Sequence, residues 1–295
     1  MKQTQFSSDF TLGILGGGQL GKMMLYTTRK WDITTYVMDK DDSAPAFQGC
    51  DVFFEGDIME YEAVMEFGEQ VDVLTIEIEN VNVQALQDLE DKGIAVSPSA
   101  KVLNLIRNKA RQKSFYQDQN IPTAAFEVYP KPRLDHDRTY PFIWKSAEGG
   151  YDGKGVKVIR KASDLKDVPQ VECIYEDLID FELELAVIVA RNARGEMKTY
   201  PVVEMEFHPE ANQVEYVICP ARIDSGISDR ARELALQVSE AYEHVGLLAV
   251  ELFLTKSGEL LVNEVAPRPH NSGHYSIEGA ITDQFEQHIR CVCNL

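Results

Sequence analysis

Phe142-Ile143-Trp144-Lys145-Ser146-Ala147-Glu148-Gly149-Gly150-Tyr151-Asp152-Gly153-Lys154-Gly155-Val156-Lys157-Val158-Ile159 sets a glycine-rich turn between two β-prone runs. Four of the seven residues 149–155 are glycine. Glycine reaches positive φ without strain and has no side chain to block close approach, so successive N–H groups can converge on one anion. The spacing is neither that of a P-loop nor the GxGxxG of a dinucleotide fold. Strand, glycine loop, strand reads as a flexible hairpin lid over phosphate, with a plain surface turn as the alternative. The residues around it decide between them.

The first third of the chain alternates β-rich runs with helical segments. It opens with Thr11-Leu12-Gly13-Ile14-Leu15 and then Gly16-Gly17-Gly18-Gln19-Leu20-Gly21. Further strands are expected at 33–38, 52–54, 71–76 and 95–97, which predicts a parallel sheet covered by helices on both faces. Residues 16–21 fit GxGxxG, and Asp39 follows the second strand where a dinucleotide fold binds a ribose hydroxyl, so a nicotinamide enzyme stays open. Beyond Ser99 come two helical stretches, a break at Pro122, and then mostly strands, with long ones at 182–190 and 213–221. One helix is expected at 228–245 with Ser228 as its N-cap. The segment 131–138 reads as a polar surface turn. A boundary near residue 107 divides a Rossmann-like first domain, 1–107, from a second, 108–295, whose lid covers about 122–175.

The 295 residues exceed one small domain, and 44% apolar content means a globular protein. A net charge of −19 argues against wrapping nucleic acid or sitting on an anionic membrane. Any phosphate site must therefore be locally basic. Five scattered cysteines without a CxxC pair fit reduced thiols, and the lack of an apolar leader or span points to a cytoplasmic chain.

A second constellation is the pair Glu251, in Leu248-Ala249-Val250-Glu251-Leu252-Phe253, and Glu264, in Leu260-Leu261-Val262-Asn263-Glu264-Val265. They lie on opposite arms of a hairpin turning at Lys256-Ser257-Gly258. Carboxylates interrupting apolar strands call for a cation, and Mg²⁺ held between carboxylates and ATP phosphates meets that need. Solvated edge glutamates are the alternative. Lys145 leads straight into the glycine loop, and Lys109 opens the helix beginning Asn108-Lys109-Ala110. The run Glu176-Asp177-Leu178-Ile179 can form a hinge whose backbone reads adenine, with Glu184 on the next strand reading ribose hydroxyls.

The order Lys109, Lys145, glycine loop, Glu176, Glu184, Glu251 and Asn263-Glu264 resembles the ATP-grasp superfamily over nearly the whole chain. Within it, Gly17-Gly18-Gln19-Leu20-Gly21, Glu77-Ile78-Glu79-Asn80, the glycine loop and Asn263-Glu264-Val265-Ala266-Pro267-Arg268-Pro269-His270-Asn271-Ser272-Gly273-His274 resemble the 5-(carboxyamino)imidazole ribonucleotide synthetases of purine biosynthesis.

The resemblance implies a ligase that uses ATP and bicarbonate to carboxylate the exocyclic amine of aminoimidazole ribonucleotide, by way of carboxyphosphate or CO₂ released from it. It implies that ATP is held by Lys109, Lys145, Gly150, Tyr151, Asp152, Gly153, Lys154, Gly155, Val156, the hinge Glu176 to Ile179, Glu184, His208, Asn263 and Glu264. Two Mg²⁺ would sit on Glu251 and Glu264. Gly18, Gln19, Leu20, Glu77, Asn80, Tyr151, Asp152, Arg268, Asn271 and Ser272 would contact the ribonucleotide. Arg268 would hold bicarbonate or the intermediate, His270 would assist proton transfer, and Lys145 would serve the leaving phosphoryl group. A homodimer is the expected assembly. Val156 stands where the family often has glutamine, and His208 lies one residue beyond the family's usual spacing. The chain stops before the family's small C-terminal domain, which is therefore expected to be absent.

Overall fold

The computed structural model describes residues 9–149, 155–207 and 214–295, and its strands form three sheets. The first is parallel: β1 (Thr11–Leu15), β2 (Thr34–Asp39), β3 (Val52–Glu55), β4 (Val73–Ile76) and β5 (Ala95–Ser97), in the order β3-β2-β1-β4-β5. Helices α1 (Gln19–Lys30), α2 (Tyr61–Gly68), α3 (Val83–Asp91) and α4 (Ala100–Ile106) accompany it. Apolar side chains leave both faces of the central strand. Leu12 and Ile14 join Met24, Leu25 and Val37 on one side, and Leu15 joins Leu74, Ile76 and Leu86 on the other. The strand order reverses between β1 and β4, which opens a crevice at their carboxyl ends.

Helix α5 (Lys109–Asp118) starts where Asn108 accepts from the Arg111 amide. A small antiparallel sheet follows, with β6 (Phe126–Tyr129), β7 (Phe142–Ser146), β8 (Val156–Ile159) and β9 (Cys173–Asp177) in the order β6-β9-β7-β8. β7 and β8 are the hairpin that flanks the glycine loop, whose residues 150–154 lie outside the described region.

The largest sheet contains β10 (Phe181–Arg191), β11 (Met197–Thr199), β12 (Val203–Phe207), β13 (Val214–Ile218), β14 (Gly246–Thr255) and β15 (Leu260–Ala266). Its order is β13-β12-β10-β14-β15, with β11 paired to β10. Leu185, Val187 and Val189 on one face of β10 pack on α6 (Ser225–Tyr242) through Ala231, Leu234, Ala235 and Val238.

One expectation needs correction and one refinement. Helix α6 begins at Ser225 instead of Ser228, because Asp224 accepts from the Ile227 amide and starts the helix earlier. The segment 131–138 is held down on one side: the Arg138 side chain is 7% exposed and pairs with Glu127 and Asp177. Beside it, His136 packs among Tyr140, Phe142 and Tyr175, and the Tyr175 hydroxyl accepts from the Arg133 amide at 2.9 Å.

The short α7 (Ser276–Gly279) precedes α8 (Gln284–Val292), which has no counterpart among the expected helices. Phe285, Ile289 and Val292 of α8 pack on Phe10, Leu12 and Met24, so the last helix completes the core of the first sheet. His288 Nδ1 accepts from the Leu247 amide at 3.2 Å, which leaves Nε2–H for Thr75 Oγ1 at 2.8 Å. Thr75 in turn donates to Ser97 O at 2.7 Å, so one buried imidazole joins the first and last sheets.

Candidate active site

Glu184, Glu251 and Glu264 come from three adjacent strands, β10, β14 and β15. Glu251 lies opposite Ala186, two residues along β10 from Glu184, so both carboxylates leave the same sheet face. The β14–β15 ladder shifts register between Val250 and Leu252, which sets the extra residue of a bulge in the Asn263-Glu264 stretch. Such a bulge re-aims side chains locally, and it explains how Asn263 and Glu264, successive in sequence, both take part in the cluster.

Lysines meet these acids from α5 and β7. Lys109 Nζ bonds Glu264 Oε2 at 2.9 Å, and Lys145 Nζ reaches Asn263 Oδ1 at 3.4 Å and Glu176 Oε2 at 2.6 Å. Lys113 pairs with the other Glu176 oxygen at 2.6 Å. Burial opposes the Lys109 charge, yet Glu264 raises its pKa. Burial also works against an ionised Glu176, but Lys113 and Lys145 outweigh it and hold the carboxyl down to about 2. Glu251 is pushed up by burial and by the Glu264 and Glu184 charges, and Glu184 goes up to about 7 by burial and Glu264. Lys109 holds Glu264 low. Four carboxylates thus face three ammonium groups, and the cluster lowers its charge by retaining protons.

Among the described residues, no group of three or more His, Cys, Asp or Glu is arranged to hold a metal unaided. His270 Nδ1 accepts from the Ser272 amide at 3.3 Å, so its proton sits on Nε2, 3.5 Å from Glu251 Oε1. Burial and Arg268 hold this imidazole neutral, down to about 4. Ser272 is fully buried, with its hydroxyl 3.0 Å from the same Nδ1, and so it orients His270.

A second group surrounds the turn before α1. Asp39 Oδ2 accepts from the Gly17 amide at 2.6 Å, and Glu77 Oε1 accepts from the Leu20 amide at 3.3 Å. A carboxylate therefore stands at the helix N-terminus where a dinucleotide fold would seat its pyrophosphate, and Asp39 is already engaged. The nicotinamide alternative loses both of its supports. Burial raises the Glu77 pKa and Arg268 opposes that rise. Arg268 crosses from the far end of the chain to Glu79, with Nε 2.9 Å from Oε1. Asn80 accepts from Arg107 at 3.3 Å, while Gln19 and Asn271 are exposed.

Asp177 and Leu178 are exposed at the end of β9, and 178–180 lie outside both neighbouring ladders, as a hinge requires. Gly155 has φ +75° and Val156 is 39% exposed at the mouth of the β7–β8 hairpin. Gly150, Tyr151, Asp152, Gly153, Lys154 and His208 lie outside the described residues. Two participants were not singled out from sequence, Lys113 and Glu79. Lys113 lies one helical turn after Lys109 on α5, but its burial against Glu176 carries no local signal, and Glu79 lies two residues from Glu77 in a bend.

A family model for the ATP-grasp domain matches residues 114–285, and one for the ribonucleotide synthetase preATP-grasp domain matches 10–107. The N5-carboxyaminoimidazole ribonucleotide synthase of Bacillus subtilis (strain 168) is 38% identical over 292 residues, 96% of this chain and 76% of that protein. The crystal structure of N5-carboxyaminoimidazole ribonucleotide synthetase from Thermotoga maritima matches with TM-score 0.88 and 40% identity, over 97% of this chain and 76% of that one. An Aspergillus clavatus N5-carboxyaminoimidazole synthase, solved with ADP and 5-aminoimidazole ribonucleotide, matches with TM-score 0.89 and 30% identity over 98% and 78%. The chain spans about half, 52–54%, of the curated yeast phosphoribosylaminoimidazole carboxylases.

Proposed function

Because this chain belongs to the N5-carboxyaminoimidazole ribonucleotide synthase family of ATP-grasp enzymes, we propose that it carboxylates aminoimidazole ribonucleotide with bicarbonate, cleaving ATP to ADP and phosphate, as a ligase of purine biosynthesis. The observation that carries the reading for this chain's own residues is the meeting of Lys109, Lys145 and Asn263 with Glu184, Glu251 and Glu264. Four strands and a helix bring these residues together, and one of the strands, β7, belongs to the hairpin that flanks the glycine loop.

Lys145 and Lys109 neutralise the triphosphate as its terminal phosphoryl group passes to bicarbonate. Glu251 and Glu264 would hold Mg²⁺, which would supply charge neutralisation for the phosphates and so replace the protons that now relieve the repulsion between these carboxylates. The 178–180 connector presents unladdered backbone to the base, and Glu184 faces the sugar hydroxyls. The crevice lined by Gly18, Leu20, Glu77 and Arg268 takes the ribonucleotide, with Arg268 as the planar fork for bicarbonate or carboxyphosphate. His270, neutral and oriented by Ser272, would assist proton transfer from the amine. The β7–β8 hairpin closes over the phosphates and excludes water from an intermediate that hydrolyses readily. The parallel sheet serves as the ribonucleotide domain, 1–107, and the rest as the ATP domain, 108–295, with its lid at about 122–175.

ADP release measured by a coupled assay tests this. The expected result is Mg²⁺-dependent release that needs both aminoimidazole ribonucleotide and bicarbonate. Release indifferent to the ribonucleotide overturns the substrate, and no release with any combination overturns the ligase.

A further inference from the structure

Lys113 does not reach the cleft. Its residue is 2% exposed, and its ammonium bonds Thr123 Oγ1 at 2.5 Å and pairs with Glu176 Oε1 at 2.6 Å. Thr123 donates to Val262 O at 2.7 Å, one residue before Asn263, so a single ammonium fastens α5, β9 and β15 together. The second Glu176 oxygen holds Lys145, 2.6 Å away. The carboxylate is therefore shared between two unlike lysines. The Lys113 side chain is 3% exposed and locked among protein atoms, whereas Lys145 is 13% exposed and already in contact with Asn263 at the cleft.

That asymmetry has a consequence when phosphate arrives. Lys145 can serve a triphosphate only by loosening its hold on Glu176, whose side chain is 4% exposed. A buried carboxylate stripped of its only partner is strongly unfavourable, so with Lys145 as its sole counter-ion Glu176 would retain the lysine against the nucleotide. With Lys113 in place, Glu176 stays paired throughout. Burial lowers the Lys113 pKa to about 8, which still leaves it mostly charged at neutral pH.

We infer that Lys113 is a positioning residue for the nucleotide: it keeps Glu176 neutralised so that Lys145 is free to turn its charge from that carboxylate to the phosphates. The inference rests on the nucleotide reading of the cleft given above. It assigns Lys113 no contact with ATP, and it makes the cost of removing Lys113 depend on Glu176.

Calorimetric titration of the full chain with Mg-ATP, with folding of each variant checked by melting, tests this. Lys113→Met is expected to weaken Mg-ATP binding roughly 10- to 100-fold, the scale of one charge-assisted contact, with KM for the ribonucleotide unchanged. Adding Glu176→Gln removes the carboxylate that holds Lys145 back, so the double variant is expected to bind within about threefold of wild type, a coupling a purely structural lysine would not produce. Wild-type affinity in Lys113→Met, or a double variant no better than the single one, overturns the inference. If the single variant does not fold, the double variant decides, and roughly tenfold weaker binding by it when folded is the overturning result. A wild-type chain that binds no Mg-ATP instead sinks the nucleotide reading itself, and this inference with it.

Discussion

Two clusters of acids, one at the ends of strands and one within them, are compensated in opposite ways. Around the turn before α1, Asp39 and Glu77 each accept a backbone amide, from Gly17 and Leu20, and Arg268 stands nearby. Along β10, β14 and β15, Glu184, Glu251 and Glu264 face one another and depend on lysines and retained protons. The first cluster is satisfied by the fold. The second crowds carboxyls together and limits its charge only by keeping protons that a divalent cation could replace, as expected of a site built for an incoming charged group rather than for stability alone.

The largest expected effect lies in the second cluster. Lys145→Met should cut ribonucleotide-dependent ADP release by about 10²- to 10³-fold, the usual loss for one group stabilising transition-state charge, with the fold intact by circular dichroism. Activity within a few fold of wild type would break the contrast, since the lysine would then be serving the fold alone.

Next comes the first cluster. Asp39→Ala leaves the buried Gly17 amide without its acceptor and should cost about 1–3 kcal/mol in denaturant unfolding, an effect with no dependence on Mg-ATP. A loss that vanishes on adding Mg-ATP would mean that the two clusters act as one.

The smallest effect sharpens the comparison through pH. Glu184 titrates at about 7 in the fold against an ordinary 4.5, so between those values the folded chain holds a proton that the unfolded chain has released. Its contribution to stability is fully present below pH 4.5 and is lost as pH rises through 7. Glu184→Gln should therefore raise the Tm of the nucleotide-free chain at pH 8 by about 2–4 °C and leave it nearly unchanged at pH 4. A Tm gain that is the same at both pH values would remove charge repulsion as its cause.

Much of this was legible in the residues. The parallel strands announced themselves because burial on both faces makes them near-continuous apolar runs, and the carboxylates of β14 and β15 stood out because a charge inside such a run requires a partner. The start of α6 was misplaced because Asp224 and Ser228 are both competent caps and only tertiary context chooses between them. Lys113 was hidden because a buried lysine looks like any surface lysine until Glu176, 63 positions away, is placed against it. The role of Glu77 at the turn was equally long-range, since its bond to Leu20 spans 57 positions. Helix α8 was missed for a related reason: its apolar face is short, and its partner surface is made at the opposite end of the chain.

That last arrangement bears on how the polypeptide is made. The face of the first sheet carrying Leu12 and Ile14, partly covered by Met24 and Leu25 of α1, is fully covered only when Phe285, Ile289 and Val292 arrive. At a synthesis rate of about 5–20 residues per second, the interval from the end of β5 to α8 lasts roughly 10–40 s on the ribosome. During that interval the newborn sheet exposes a greasy surface to the crowded cell. Chaperone capture of the nascent chain is expected to concentrate there, ending when the final turn of α8 clears the exit tunnel.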